Sequence, residues 1–222
     1  MGFLRGETRR RTLIPVEQAD EPADFGATVR QKGADFLAQE PRPRNWKNKD
    51  FWHAALQNLY ESYNHICAYT AQWIPRVEGV ATVDHFEPKS QEPALAYEWS
   101  NFRLTSLKMN ARKREHRDVL DPFRIQANTF HLEFPSLIVK PNPDLPEDLK
   151  RRAESTIKRL KLNSDNNCIM SRLEWLLPYC EGRIIFEELA QRAPFIAYEV
   201  DRQGKRDTIA AIMKPGFRVA QD

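Results

Sequence analysis

The chain has 222 residues, 41% of them hydrophobic, and its 34 basic and 31 acidic residues leave a formal net charge of +3. This length is enough for one ordinary hydrophobic core with elaborations, so we expect one globular unit. Because the sequence has no run of about 18 uncharged apolar residues and no apolar leader before a cleavage site, we expect a soluble, cytoplasmic protein with no membrane partner.

Three widely spaced cysteines, Cys67, Cys168 and Cys180, limit the covalent and metal chemistry of the chain. An odd number of thiols this far apart provides neither a disulfide framework nor a complete four-thiolate zinc site. This use of cysteine fits a reducing compartment.

The N-terminal part is rich in proline up to about residue 48. Prolines at positions 15, 22, 41 and 43 favour an extended arm over residues 1–48 that wraps on a core. From Lys49 to Tyr63, apolar residues recur at helical spacing, which predicts a helix that faces the core.

A strand, a loop, a second strand and a helix are predicted next. Val80–Phe86 and Tyr97–Leu104 have the composition of strands, and a loop with two prolines separates them. A helix is predicted from Ser106 to Arg117. We assign residues 49–123 to this module and its preceding helix.

The remainder is predicted to contain a short additional hairpin and then helices. Phe130–Val139 is the predicted hairpin, residues 124–205 form a hairpin and helical region, and residues 206–222 form a tail. The helices are predicted at Glu147–Leu160, Asp165–Tyr179, Ile184–Gln191 and Pro194–Arg202. The sequence therefore predicts an α+β fold that is mostly helical.

Three ordered motifs lie in the strand-loop-strand-helix segment, at Val83–Ser90, Tyr97–Leu104 and Lys108–Lys113. Their order and spacing resemble the signature of HNH endonucleases, which carry a ββα-metal module. The whole chain is also similar to the HNH nuclease subunits of retron-associated and Septu-type antiphage systems. The resemblance implies a ββα-metal site that cleaves phosphodiester bonds of nucleic acid.

The same resemblance assigns roles to five side chains. Asp84 and Asn110 would bind one catalytic Mg²⁺ or Mn²⁺, because both offer the hard oxygen ligands that these ions prefer. His85 would be the general base, since an imidazole can accept a proton at neutral pH. Asn101 would orient that imidazole, and Lys113 would hold the phosphate.

Positive charge is concentrated around the predicted helix, where six basic residues stand against the single acid Glu115 between positions 101 and 117. Each site residue taken alone has a structural explanation, such as a turn residue for Asn101 or a helix N-cap for Asn110, and the basic run could be a solvated face. Taken together, the six basic residues are expected to contact nucleic acid: Arg103, Lys108, Arg112, Lys113, Arg114 and Arg117.

Many proteins with this signature brace the site with a zinc ion held by two Cys-x-x-Cys pairs. The corresponding positions here are Cys67, Thr70, Ser106 and Met109, so three of the four thiolates are absent and we expect no structural zinc. Apolar packing would then brace the helix, through Tyr69, Trp73, Ile74, Leu107 and Met109.

These features predict a metal-dependent HNH endonuclease that hydrolyses DNA. By resemblance it would be the nuclease effector of an antiphage defence system and would act beside an ABC- or AAA-type ATPase. Two alternatives stay open. One is a catalytically weak subunit that binds nucleic acid or docks on such an ATPase. The other is a ribonuclease acting on tRNA or other RNA, because the chemistry of the site does not require DNA.

Overall fold

A computed structural model describes residues 16–77, 79–163 and 166–214 of the chain. It shows an α+β fold in which helices surround two small antiparallel sheets. The ends of the predicted arm and tail lie outside the described residues. Within the described ranges, no helix has both the length and the apolar character that crossing a membrane requires.

The N-terminal segment contains a helix where the sequence suggested an extended arm. A π-helical turn at Gly26–Arg30 continues into helix α1, Gln31–Gln39. The prolines at positions 22 and 41 lie outside the two ends of this helix, so they mark its limits and do not prevent it. Gly33 is required by close packing, because a Cβ atom there would lie 2.1 Å from ring carbons of Tyr97.

The helix predicted between Lys49 and Tyr63 is confirmed, with a tighter first turn than expected. A 3₁₀ turn at Phe51–Ala55 leads into helix α2, Leu56–Ser62. Its buried face includes Trp52 and Leu59, which join the larger of two hydrophobic clusters.

The segment that carries the three motifs folds as strand, strand and helix. Strand β1, Ala81–His85, pairs antiparallel with strand β2, Phe102–Ser106, and helix α3, Leu107–Lys113, follows at once. The second strand begins five residues later than predicted, because a 3₁₀ turn occupies Trp99–Asn101. The helix also ends earlier than Arg117, since Arg114 adopts a positive φ of 46°.

The C-terminal half contains the predicted hairpin and helices around a second hydrophobic cluster. Its strands β3 and β4 span Phe130–Glu133 and Ile138–Pro141. The helices α4 to α8 span Glu147–Arg159, Asn166–Cys180, Phe186–Arg192, Pro194–Arg202 and Ile209–Met213. The last of these falls in the segment that the sequence assigned to a tail.

A buried ion pair fastens strand β2 to the segment after the module. The Nε and Nη2 atoms of Arg103 each donate to one carboxylate oxygen of Asp121 at 2.9 Å, and Nη1 donates to the carbonyls of Ser100 and Phe102. The guanidinium also lies 3.6 Å from the ring centre of Phe123. Arg103 was expected to contact nucleic acid, and this expectation is corrected: at 3% exposure its donors are committed inside the protein.

The ion pair gives a stability prediction. Asp121→Ala leaves a buried guanidinium without its carboxylate, which typically costs about 3–5 kcal/mol of unfolding free energy. Asp148→Ala is the matched control, because its ion pair with Arg151 is exposed and should contribute less than about 1 kcal/mol. Denaturant unfolding measures both variants, and equal losses would contradict the assignment.

Candidate functional site

Asp84 is a buried carboxylate near the end of β1. The Tyr69 hydroxyl donates to its Oδ2 at 2.6 Å, and the Lys113 ammonium lies 3.7 Å from the same oxygen. Burial raises the pKa of Asp84, while Lys113, Tyr69 and Arg103 oppose that effect. In the described part of the chain these contacts reach Oδ2 alone, so Oδ1 is the oxygen that could face a cation.

His85 is the last residue of β1, and its side chain leaves the strand on the face opposite to Asp84. Its Nε2 lies 2.9 Å from the carbonyl oxygen of Ala96. A carbonyl can only accept, so Nε2 carries the hydrogen and Nδ1 of the neutral ring has the lone pair. The imidazole also packs edge-on against Trp52, with ring centres 4.7 Å apart.

The surroundings of His85 keep its imidazole neutral. Burial, together with the positive charges of Lys89 and Lys113, lowers the pKa of His85 to about 3, against the hydrogen bond to Ala96. At neutral pH the ring is therefore uncharged, and its Nδ1 carries no proton.

Asn101 fixes the loop between the two strands. Its Oδ1 accepts from the backbone amide of Glu87 at 2.8 Å, and its Nδ2 donates to the carbonyls of Glu87 and Leu95 at 3.0 Å. The sequence predicted that Asn101 orients the imidazole of His85. Asn101 instead bonds the carbonyl of Leu95, the residue before Ala96. Any effect on the orientation of His85 therefore passes through the backbone at Ala96, whose carbonyl accepts from the imidazole.

Asn110 connects α3 to β1 from the side on which Asp84 lies. Its Nδ2 donates to the Val83 carbonyl at 3.1 Å, one residue before Asp84. Because this bond uses the amide nitrogen, the carbonyl oxygen of the same side chain is the atom that could bind a cation. The same Nδ2 also donates to the Thr82 hydroxyl at 3.4 Å. Because Thr82 lies two residues before Asp84 on the same strand face, Asn110 is on the side of the strand that carries Asp84.

Lys113 is fully buried in the described structure, at 0% exposure. It follows Met109 by four residues, which places both on the face of α3 that packs against the sheet. Its Nζ donates to the carbonyl of His85 at 2.7 Å and also to that of Phe86. The predicted contact of Lys113 with a phosphate is corrected, because its ammonium is used to hold the end of β1.

The other predicted nucleic-acid contacts divide into two groups. Lys108, Arg114 and Arg117 are exposed, and Arg117 forms an ion pair with Glu87 at 2.7 Å. Arg112 is half-buried and donates to the Leu160 carbonyl and the Cys168 sulfur at 3.2 and 3.1 Å. Arg112 thus joins α3 to the C-terminal helices, while the three exposed residues keep a surface position.

A cavity of about 230 Å³ lies at the positions that the sequence comparison considered for a structural zinc. Among its lining residues are the four corresponding positions, Cys67, Thr70, Ser106 and Met109. Among the residues that the structure describes, no three His, Cys, Asp or Glu side chains are grouped to hold a metal. Of the residues expected to brace the helix, Tyr69, Ile74 and Met109 are buried, whereas Leu107 is largely exposed.

Comparisons with known proteins assign no family to the chain. No protein-family model matches it, and no curated protein shows significant similarity to it. The function is therefore inferred from the geometry of the site and from the resemblance of its motifs.

Two groups at the site had no functional assignment from the sequence. Tyr69 was expected only to pack, although its hydroxyl binds Asp84. The Ala96 carbonyl, which selects the tautomer of His85, could not be found from residue types, because every residue has a backbone carbonyl. For Tyr69 the only available signal was its position two residues after Cys67, beside the predicted module.

The lowered pKa of His85 predicts a specific pH dependence of stability. Because the folded-state pKa of about 3 lies below the ordinary value of 6.5, protonation favours the unfolded chain. This contribution to stability is complete above about pH 6.5 and is lost as the pH falls towards 3, by at most about 1.4 kcal/mol per pH unit.

We expect the free energy of unfolding to fall more steeply between pH 7 and pH 5 in the wild type than in His85→Gln. Asp84, whose pKa is raised, contributes with the opposite sign in both proteins, so its effect largely cancels in the comparison. Denaturant unfolding at several pH values provides the measurement. Parallel pH profiles for the two proteins would show that His85 is not held neutral by its surroundings.

Proposed function

We propose that this protein is a metal-dependent endonuclease of the HNH type that hydrolyses phosphodiester bonds of DNA. The observation that carries the proposal is the junction of β1 and α3. Asp84 and His85 are the last two residues of the strand, and Asn110 from the helix is bonded to the residue just before them. A carboxylate and an amide on one face of the strand, and a neutral imidazole on the other face, are therefore found where β1 ends.

The donor set fits one Mg²⁺ or Mn²⁺ ion. The Oδ1 atoms of Asp84 and Asn110 are hard oxygen ligands, and two protein ligands would leave most coordination positions to water and phosphate, as Mg²⁺ prefers. When bound, the ion would supply neutralisation of the charge that develops on the phosphate and on the leaving oxygen.

His85 would act as the general base. Its Nδ1 lone pair accepts a proton from the attacking water, while the Nε2 hydrogen stays bonded to the Ala96 carbonyl and keeps the ring in place. Since Asp84 and His85 leave the strand on opposite faces, the phosphate must lie beyond the end of β1, where both side chains can be reached.

The choice of DNA comes from the resemblance to retron-associated and Septu-type nuclease subunits. The proposed role in antiphage defence and the proposed ATPase partner have the same origin. The site itself has few means of reading a base sequence, because its exposed cations, Lys108, Arg114 and Arg117, would contact backbone phosphates, which position a nucleic acid without specifying it.

One observation favours a second candidate function, a docking subunit with weak activity or none. Asp84 is only 2% exposed, and Tyr69 and Lys113 already compensate one of its oxygens. A carboxylate balanced within the protein can be a structural element without any metal. The two functions differ in whether a divalent ion supports cleavage.

Substitutions of Asp84 and His85 test the proposed function. His85→Ala removes proton transfer, so we expect it to bind metal and DNA but to cut about 10²–10⁴ times more slowly than the wild type. Asp84→Ala removes an anionic ligand, so excess Mg²⁺ or Mn²⁺ should restore part of its activity. Excess metal should not restore His85→Ala.

Cleavage of plasmid, single-stranded DNA and total RNA under one metal condition measures these effects and separates DNA from RNA as substrate. Asp148→Ala, on the exposed surface of α4, is the control and should cut at the wild-type rate. Wild-type rates in both site variants would contradict the nuclease assignment. Failure of the folded wild type to cut any of the three substrates would favour the docking subunit.

A further inference from the structure

We propose that Lys89 is the side chain that binds the phosphate of the nucleic acid next to His85. This assignment rests on the proposed function, because it specifies how the same site holds its substrate. Lys113 cannot fill this role from its observed position, since its ammonium is buried against backbone carbonyls.

Aromatic rings position the Lys89 ammonium beside the site. Its Nζ lies 5.0 Å from the ring centre of Trp52 and 5.8 Å from that of Trp46. The Trp52 ring is itself 4.7 Å from the imidazole of His85. These distances hold the ammonium within about 10 Å of the imidazole centre, a separation that a bound phosphodiester could bridge.

The loop that carries Lys89 is fixed on both sides of it. Asn101 bonds both backbone groups of Glu87, and the Ser90 hydroxyl donates to Glu115 at 2.5 Å. Arg117 adds an ion pair with Glu87. Lys89 therefore projects from a held loop, and little ordering of the backbone is needed when a ligand binds.

Lys89 differs from Arg103, Lys113 and Arg117 in that no carboxylate among the described residues forms an ion pair with its ammonium. Arg103 is paired with Asp121, Lys113 lies against Asp84, and Arg117 is paired with Glu87. In the ranges that the structure describes, no hydrogen bond or ion pair reaches the Lys89 ammonium, which contacts aromatic rings only. A half-buried ammonium on aromatic faces has given up part of its water and can bind an anion favourably.

The contact with Trp52 also places Lys89 near the end of the strand. Its ammonium lies within about 10 Å of the imidazole of His85, which is the last residue of β1. Lys89 therefore lies near the point beyond which the phosphate must bind if Asp84 and His85 are both to act on it.

The salt dependence of DNA binding tests this contact without requiring cleavage. A labelled DNA duplex of about 20 base pairs is titrated with protein in Mg²⁺ between 50 and 200 mM salt, with His85→Ala as the background so that the duplex stays intact. Loss of one phosphate contact should make the slope of log K against log salt shallower by about 0.9.

We expect this change in slope, together with weaker binding, when Lys89→Met is added to the background. Methionine retains an unbranched apolar stem against the tryptophans but removes the charge. Lys89→Arg restores a cation and should restore the slope, which a merely structural role of Lys89 would not predict. Lys158→Met removes an exposed lysine on α4 and should leave both slope and affinity unchanged.

The possible outcomes separate this inference from the proposed function. An unchanged slope in Lys89→Met overturns the assignment of Lys89, whatever the cleavage assays show. A changed slope that Lys89→Arg does not recover also overturns it, because the effect would then come from altered packing. Absence of DNA binding by the background protein overturns both proposals. Wild-type cleavage by His85→Ala overturns the proposed mechanism alone.

Discussion

A buried ammonium joins the helix and the strand on which the candidate site depends. Lys113 lies inside the protein, where it donates to the carbonyl groups of His85 and Phe86 and stands 3.7 Å from Asp84. An ammonium away from water is unfavourable unless hydrogen bonds and an opposite charge compensate it, and these three groups do so. The end of β1 is thereby tied to α3, and Asn110, one turn earlier on the same helix, is bonded to Val83, the residue before Asp84.

The rest of the site consists of polar contacts that each fix one element of this junction. Tyr69 orients the carboxylate of Asp84, and the Ala96 carbonyl selects the tautomer of His85. Asn101 holds the loop from which both Ala96 and Lys89 extend. These contacts give each side chain a fixed orientation before any ligand binds. The proposed chemistry then depends on what binds beyond the strand end.

Local pattern was enough to find the strand-strand-helix order and the positions of Asp84, His85 and Asn110 within it. It failed for Arg103 and Lys113, because basic side chains are usually exposed and only their distant partners explain their burial. Asp121 lies 18 residues beyond Arg103, and no short-range signal connects them. The helix at Gln31–Gln39 was also missed, because the prolines that flank it were attributed to an extended arm. Tertiary packing therefore decided the positions of Arg103 and Lys113, whereas the helix was missed through a local signal.

The most direct test of the account is the position of a divalent ion. Crystals grown with saturating Mn²⁺ and measured at the manganese absorption edge would locate the metal by its anomalous scattering. The account predicts one strong peak within coordination distance of the Oδ1 atoms of Asp84 and Asn110, near the end of β1. Bound Mn²⁺ at another position, or no Mn²⁺ at Asp84 while Tyr69 and Lys113 keep their contacts with it, would contradict the account.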